Sequence, residues 1–183
     1  MLGQLRSIVQ EVNSARDLQS ALDIIVTRVR SALTTQVCSV YLLDSDINSH
    51  VLMASQGLKA EAVGRVSLQT GEGLVGLVAK HAEPINLSDA SKHPSYFYLQ
   101  DTGEEEFNSF LGVPIIHHRA VLGVLVIQQR ESRRFDEGEE AFLITLSAQL
   151  SGVIAHAEAT GAIQGLSPSG QKTEDTVFPG VSG

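Results

Sequence analysis

Gly71, Gly73 and Gly76 stand in the spacing GxGxxG, after a short strand-like segment and at the head of a helix-like one, with Asp89 just past the next strand candidate. Residues of these types bind dinucleotides: the glycines let backbone approach a pyrophosphate, a helix N-terminus holds it, and the acidic side chain reads a ribose. Against that chemistry, the preceding strand is short and interrupted by Ser67 and Gln69, a long helical and hairpin-like region comes first, and no second strand–helix–strand half follows. The same glycines also make a tight turn and allow close helix-to-sheet packing at Gly76. Amides at Gly73 and Leu74 then begin a helix, where partial positive charge suits an anion such as a ligand carboxylate.

The six histidines are His50, His81, His93, His117, His118 and His156. A metal needs converging ligands, and neighbours on a strand point to opposite faces, so His117 and His118 are not expected to chelate one ion. No metal and no cofactor are expected. His93, beside Pro94 in a polar loop with the aromatic cluster Tyr96, Phe97 and Tyr98, is where a polar group would read a ligand beneath the loop. Cys38 lies in an apolar strand and reads as a small buried hydrophobe. Asp101 and Glu104 to Glu106 form an acidic run that reads as a solvated helix start. No grouping of nucleophile, base and orienting acid stands out, so an enzyme is not expected in this segment.

The 183 residues carry 13 basic and 21 acidic side chains, a formal net charge of −8, with one cysteine. Nucleic-acid affinity rests largely on Lys and Arg displacing counterions, so neither nucleic acid nor an anionic membrane is an expected partner. A single thiol provides no internal disulfide. The longest mainly apolar stretch, Ala120 to Ile127, is far short of the ~20 residues that span a bilayer, and the N-terminal residues lack a signal-peptide layout. A cytoplasmic location is the expectation.

Positioning elements follow from periodicity. Leu2, Leu5, Ile8, Val9 and Val12 are helically spaced, and Leu18, Leu22, Ile25, Val26, Val29 and Leu33 continue after a break, with Asp17 placed to cap the second run. Val37 to Leu43 and His50 to Ser55 suggest a hairpin, Arg65 to Leu68 a third strand, Gly73 to Ala82 a helix and Pro84 to Leu87 a further strand. Glu104 to Phe110 is expected to form helical turns. Gly112 to His118 and Val121 to Gln129 are the strongest hairpin, turning near Arg119 and Ala120. Its arms are apolar on both faces, so the sheet needs a covering layer on each. Asp136 with Glu139 resembles a capping box that opens a helix from Glu137 to about Thr160. Its apolar stripe is wide enough for the sheet and for a partner. From Gly161 the composition falls to Gly, Pro, Ser and charge, as in a linker.

The blocks VCSVYLLD (37–44), LMASQGL (52–58), GEGLVGLVA (71–79), EPINLSDA (83–90), FLGVPI (110–115), VLGVLVIQ (121–128) and FDEGEEAFL (135–143) together resemble a GAF domain across residues 1–160. The resemblance implies an α+β fold: an antiparallel sheet with N- and C-terminal helices on one face and a ligand pocket on the other. Segments 37–44, 73–95 and 110–131 resemble more closely the N-terminal sensor of nitrogen-branch phosphoenolpyruvate-protein phosphotransferases, enzyme I paralogues. That likeness implies that 161–183 is a flexible linker to phosphotransfer domains outside this sequence. It implies a sensor of nitrogen status through small metabolites such as glutamine or 2-oxoglutarate, dimerising through its terminal helices. Relatives that bind cyclic nucleotides, attach bilins or reduce methionine sulfoxide are set aside, because Arg130 to Glu140 lacks an Asn-Lys signature and Cys38 is alone.

The expected pocket draws Ser39 and Tyr41 from the first strand, Leu74 and Val75 from the helix start, Asp89 and His93 from the roof, and Phe110 beneath. A slip of one residue in strand parity would turn Ser39 and Tyr41 away. The alternative is a structural dimerisation module whose cavity is closed by Phe107, Phe110, Tyr96 and Met53.

Overall fold

The computed structural model describes residues 2–96 and 107–160. Two helices open the chain, α1 (Leu2–Asn13) and α2 (Leu18–Leu33). The break between them is set by Asp17, which is extended and accepts the Ser20 amide at 2.7 Å, satisfying one of the donors a helix start leaves free. That bond holds the Asp17 carboxyl below its ordinary range. Strands β1 (Val37–Asp44), β2 (Ser49–Gln56) and β3 (Ser67–Gln69) follow, then α3 (Gly73–His81), β4 (Ile85–Leu87), β5 (Ser109–His117), β6 (Ala120–Gln129) and α4 (Glu137–Ala159). The strands form one antiparallel sheet in the order β3-β2-β1-β6-β5-β4.

Pairing of β1 with β6 joins the two hairpins at the sheet's centre, and period-two alternation sorts their side chains. Cys38, Val40 and Leu42 face α1, α2 and α4 in one buried cluster with Leu125 and Ile127. Val37 and Tyr41 face the other way, into a second cluster with Val124, Val126, Phe110 and α3. A register shift between Val40 and Tyr41 inserts Met53 as an extra residue in β2 and restores the alternation beyond it. Helices on one face and middle segments on the other are the α+β arrangement expected from an apolar sheet.

Helix α4 starts at a complete capping box. Asp136 accepts the Glu139 amide and Glu139 accepts the Asp136 amide, each at 2.8 Å. Glu139 also takes both arms of the Arg133 guanidinium at 2.9 Å. Beyond it, Leu143, Leu146, Leu150 and Ile154 are buried against the sheet and the first two helices, while Ile144 is 42% exposed. At 23 residues α4 is long and apolar enough to cross a bilayer by length and composition, yet this stripe is packed inside the domain.

Several expectations are corrected. Phe110 belongs to β5, not to a helical turn, because it pairs with both Leu87 and Gln128; residues 104–106 lie outside the described residues. The third strand is Ser67–Gln69 instead of Arg65 to Leu68. His118 and Arg119 form the β5–β6 turn with φ of +48° and +68°, so His118 has left the strand and its ring stacks on His117 at 4.0 Å instead of pointing away. Met53 lies in the helix-side cluster and closes nothing on the opposite face. The linker expected over 161–183 and the aromatics Phe97 and Tyr98 fall outside the described residues.

Candidate ligand-binding face

The face of the sheet turned from the terminal helices is covered by α3 and by the loops after β2 and β4. The Gly71–Gly76 turn fixes α3 upon it. The Gly71 amide donates to the Gly76 carbonyl at 2.7 Å, and a Cβ on Gly76 would stand 2.3 Å from the Gln69 carbonyl oxygen. Gly71 and Gly73 have φ of +90° and +66°, where a side chain is strained. Backbone closure and close approach therefore account for the three glycines, and the antiparallel sheet lacks the parallel unit that a dinucleotide fingerprint requires. The Glu72 carboxylate turns back to the Gln69 amide at 3.2 Å and leaves the first turn of α3 without a side-chain cap.

Strand parity turns Ser39 and Tyr41 toward this covered face. The Ser39 and Ser55 hydroxyls are 2.9 Å apart across the β1–β2 pair, and Tyr41 is 1% exposed. Leu74, Val75 and Phe110 join Tyr41 in one buried cluster. Asp89 and His93 flank the turn Ala90–Lys92 and bond locally: Asp89 accepts the Ser91 hydroxyl at 2.8 Å and faces Lys92 at 3.5 Å, and His93 Nδ1 accepts the Ser95 amide at 3.0 Å. Five of the seven candidates thus share one layer, while Asp89 and His93 sit on its rim around the buried Ala90.

One residue of this face was not singled out from the sequence. His50, on the Leu52 side of β2, is 1% exposed, and its Nε2 lies 3.3 Å from the Thr70 hydroxyl. Its Nδ1 is buried without a partner, and burial pushes the imidazole pKa down. Two other buried side-chain atoms among the described residues share that condition, on Gln129 and Ser147, both on the helix-covered side. Parity in HVLMA was the available signal, since it places His50 beside Leu52 instead of in solvent.

Comparison with known proteins agrees with this architecture. The sequence model of the GAF domain family matches residues 17–154. A protein of Escherichia coli (strain K12) named for the phosphoenolpyruvate-dependent phosphotransferase system is 52% identical over 160 residues, 87% of this chain and 21% of its own length. A Nif-specific regulatory protein of Azospirillum lipoferum is 30% identical over 148 residues, 77% of this chain and 23% of its own. The solved GAF domain from a phosphoenolpyruvate-protein phosphotransferase of Coxiella burnetii superposes with a TM-score of 0.84 at 50% identity, covering 88% of this chain and 96% of that one. The chain therefore spans about a fifth of the length of the curated relatives it matches.

Proposed function

This chain belongs to the GAF domain family, of the type carried by phosphoenolpyruvate-protein phosphotransferases, and from that premise we propose that it senses a small metabolite and governs phosphotransfer by domains joined to it. The phosphoenolpyruvate chemistry belongs, in this reading, to the other four-fifths of such proteins, in the cytoplasm. The observation that carries sensing is His50 Nδ1, a buried polar atom without a partner on the covered face. An unpaired buried donor or acceptor costs about 1–3 kcal/mol, and a ligand group bonded there would recover that loss. The uncapped first turn of α3 supplies amides suited to a carboxylate on the same face. A nitrogen signal such as glutamine or 2-oxoglutarate carries such a carboxylate, and the Azospirillum regulator supports a nitrogen context.

Magnitudes allow this. Binding at millimolar concentration needs only about 4 kcal/mol, and a regulatory coupling of order 1–3 kcal/mol suffices to bias attached domains. Isothermal titration of the 183-residue chain with glutamine, 2-oxoglutarate and other amino acids is the test. Saturable heat that His50→Ala weakens is expected; the absence of heat and of thermal shift with every compound overturns the reading.

A second reading, a ligand-free module that joins two chains, is favoured by the packing of Tyr41, Leu52, Val78, Phe107 and Phe110 on the covered face. Dimerisation is part of both readings. Ala141, Ile144 and Ala148 line the outward side of α4 and offer an apolar strip to a second copy.

A further inference from the structure

A cleft of about 590 Å³ opens between the α1–α2 turn and the last turns of α4, on the helix side of the sheet and apart from the covered face. Clefts that hold small molecules run from roughly 300 to 1,000 Å³. Its floor is apolar, with Val12, Leu18 and Ala21 from the first two helices and Val153 and Ala157 from α4. Gly152 lies in the α4 wall, well inside the helix, where glycine is less favourable than alanine. Nothing comes within 4 Å of the position its Cβ would take. Gly76 gives up its side chain to a neighbouring carbonyl, whereas Gly152 clears space over an apolar floor.

One cation and one anion border this floor. Arg16 and Asp17 both line the cleft, adjacent in sequence at the start of α2, and with His156 neutral they sum to no net charge. They do not satisfy each other by contact. One Asp17 oxygen accepts the Ser20 amide at 2.7 Å, and the Arg16 guanidinium makes no ion pair or hydrogen bond among the described residues. Ser20 holds the Asp17 carboxyl below its ordinary range, with a smaller contribution from the Arg16 charge, so the carboxylate is ionised at neutral pH. A carboxylate has acceptor sites beyond the one that a single amide uses, and a free guanidinium offers all its donors. A simple anion or cation would meet one like charge here. A molecule that carries both charges at one end and an apolar body at the other meets neither penalty. A free α-amino acid with an aliphatic side chain is built in this way.

We propose that this cleft is a second ligand site and takes a free aliphatic amino acid, with Arg16 on its carboxylate, Asp17 on its ammonium and the apolar floor under its side chain. Held there, the molecule bridges the α1–α2 turn and α4 and fixes the last turns of that helix against the first two. The site is separate from the covered face and does not depend on His50. Calorimetric titration of the 183-residue chain with leucine tests it. Saturable heat is expected, with affinity several-fold weaker in Arg16→Gln and in Asp17→Asn; asparagine caps a helix about as well as aspartate, so the second change removes the charge and keeps the fold. Gly152→Leu fills the space and is expected to abolish the heat, and His50→Ala to leave it as it is, each at unchanged far-UV ellipticity. Isocaproate, leucine amide and glycine lack the ammonium, the carboxylate and the alkyl group in turn, and each should bind several-fold more weakly than leucine. No heat with leucine overturns the proposal. So does leucine binding that survives Gly152→Leu or is lost in His50→Ala, which assigns it to the covered face. Isocaproate or glycine binding as tightly as leucine overturns it as well.

Discussion

At the residue scale, the glycines divide by what their missing side chains admit. The Gln69 carbonyl occupies the place of a Gly76 Cβ and, being backbone in a short strand, cannot give way. Overpacking of this kind costs about 1–3 kcal/mol, so Gly76→Ala is expected to lower Tm by several degrees, read by circular dichroism. Gly152→Ala meets no neighbour and is expected to raise Tm slightly, since alanine is better in a helix by about 0.5–1 kcal/mol. His50 has a sign of its own. Burial lowers its folded pKa below the ordinary 6.5, so the unfolded chain binds the proton more readily. Its contribution is flat above 6.5, and stability is lost as pH falls below that value toward the folded pKa. Urea midpoints measured between about pH 8 and pH 5 should fall on the acid side, and His50→Gln should flatten that part of the decline.

At the element scale, the α4 N-terminus is expected to be a coupled unit. Asp136→Ala removes one cap bond and should cost about 1 kcal/mol. Glu139→Ala also strips Arg133 of its bidentate partner, and the double variant should cost less than the two single losses added together, because both act on one cap. Denaturant titration of the three variants measures this. Caps were legible in the sequence because their chemistry is confined to residues three apart. The strand faces were less so. In VCSVYLL nearly every side chain is apolar, so alternation vanishes from the pattern and only pairing with β6 shows that Tyr41 faces α3 and Val40 the helices. The Met53 bulge and the His118–Arg119 turn are hidden for separate reasons: the bulge depends on register with the partner strand, and the turn on positive φ at non-glycine residues, which seldom adopt it. Of the expected pocket, Leu74 and Val75 are legible as the start of a helix after a glycine turn, whereas Ser39 and Tyr41 are legible only as first-strand residues of unfixed parity and Phe110 only as an apolar residue beneath. His50 is not legible in the same way, because burial, and not residue type, makes it notable.

At the scale of the whole molecule, the two buried clusters are separated by the sheet, and the outward strip of α4 belongs to neither. Its apolar character predicts self-association. Light scattering should report twice the 19.6 kDa chain mass, and Ile144→Asp, at a position 42% exposed and so free of core packing, should return a monomer with unchanged ellipticity. A parent that is monomeric at every concentration tested would remove the dimer from both functional readings. The central pairing of the sheet has one more consequence. Strand β1 cannot complete its hydrogen bonds until β6 has been made, and the whole segment 45–119 lies between them. Contacts this distant along the chain are slow to form, and a polypeptide leaves the ribosome at about 5–20 residues per second. During synthesis the first hairpin must therefore wait several seconds with one edge bare, a window in which a chaperone, or a neighbouring nascent chain, competes for that edge.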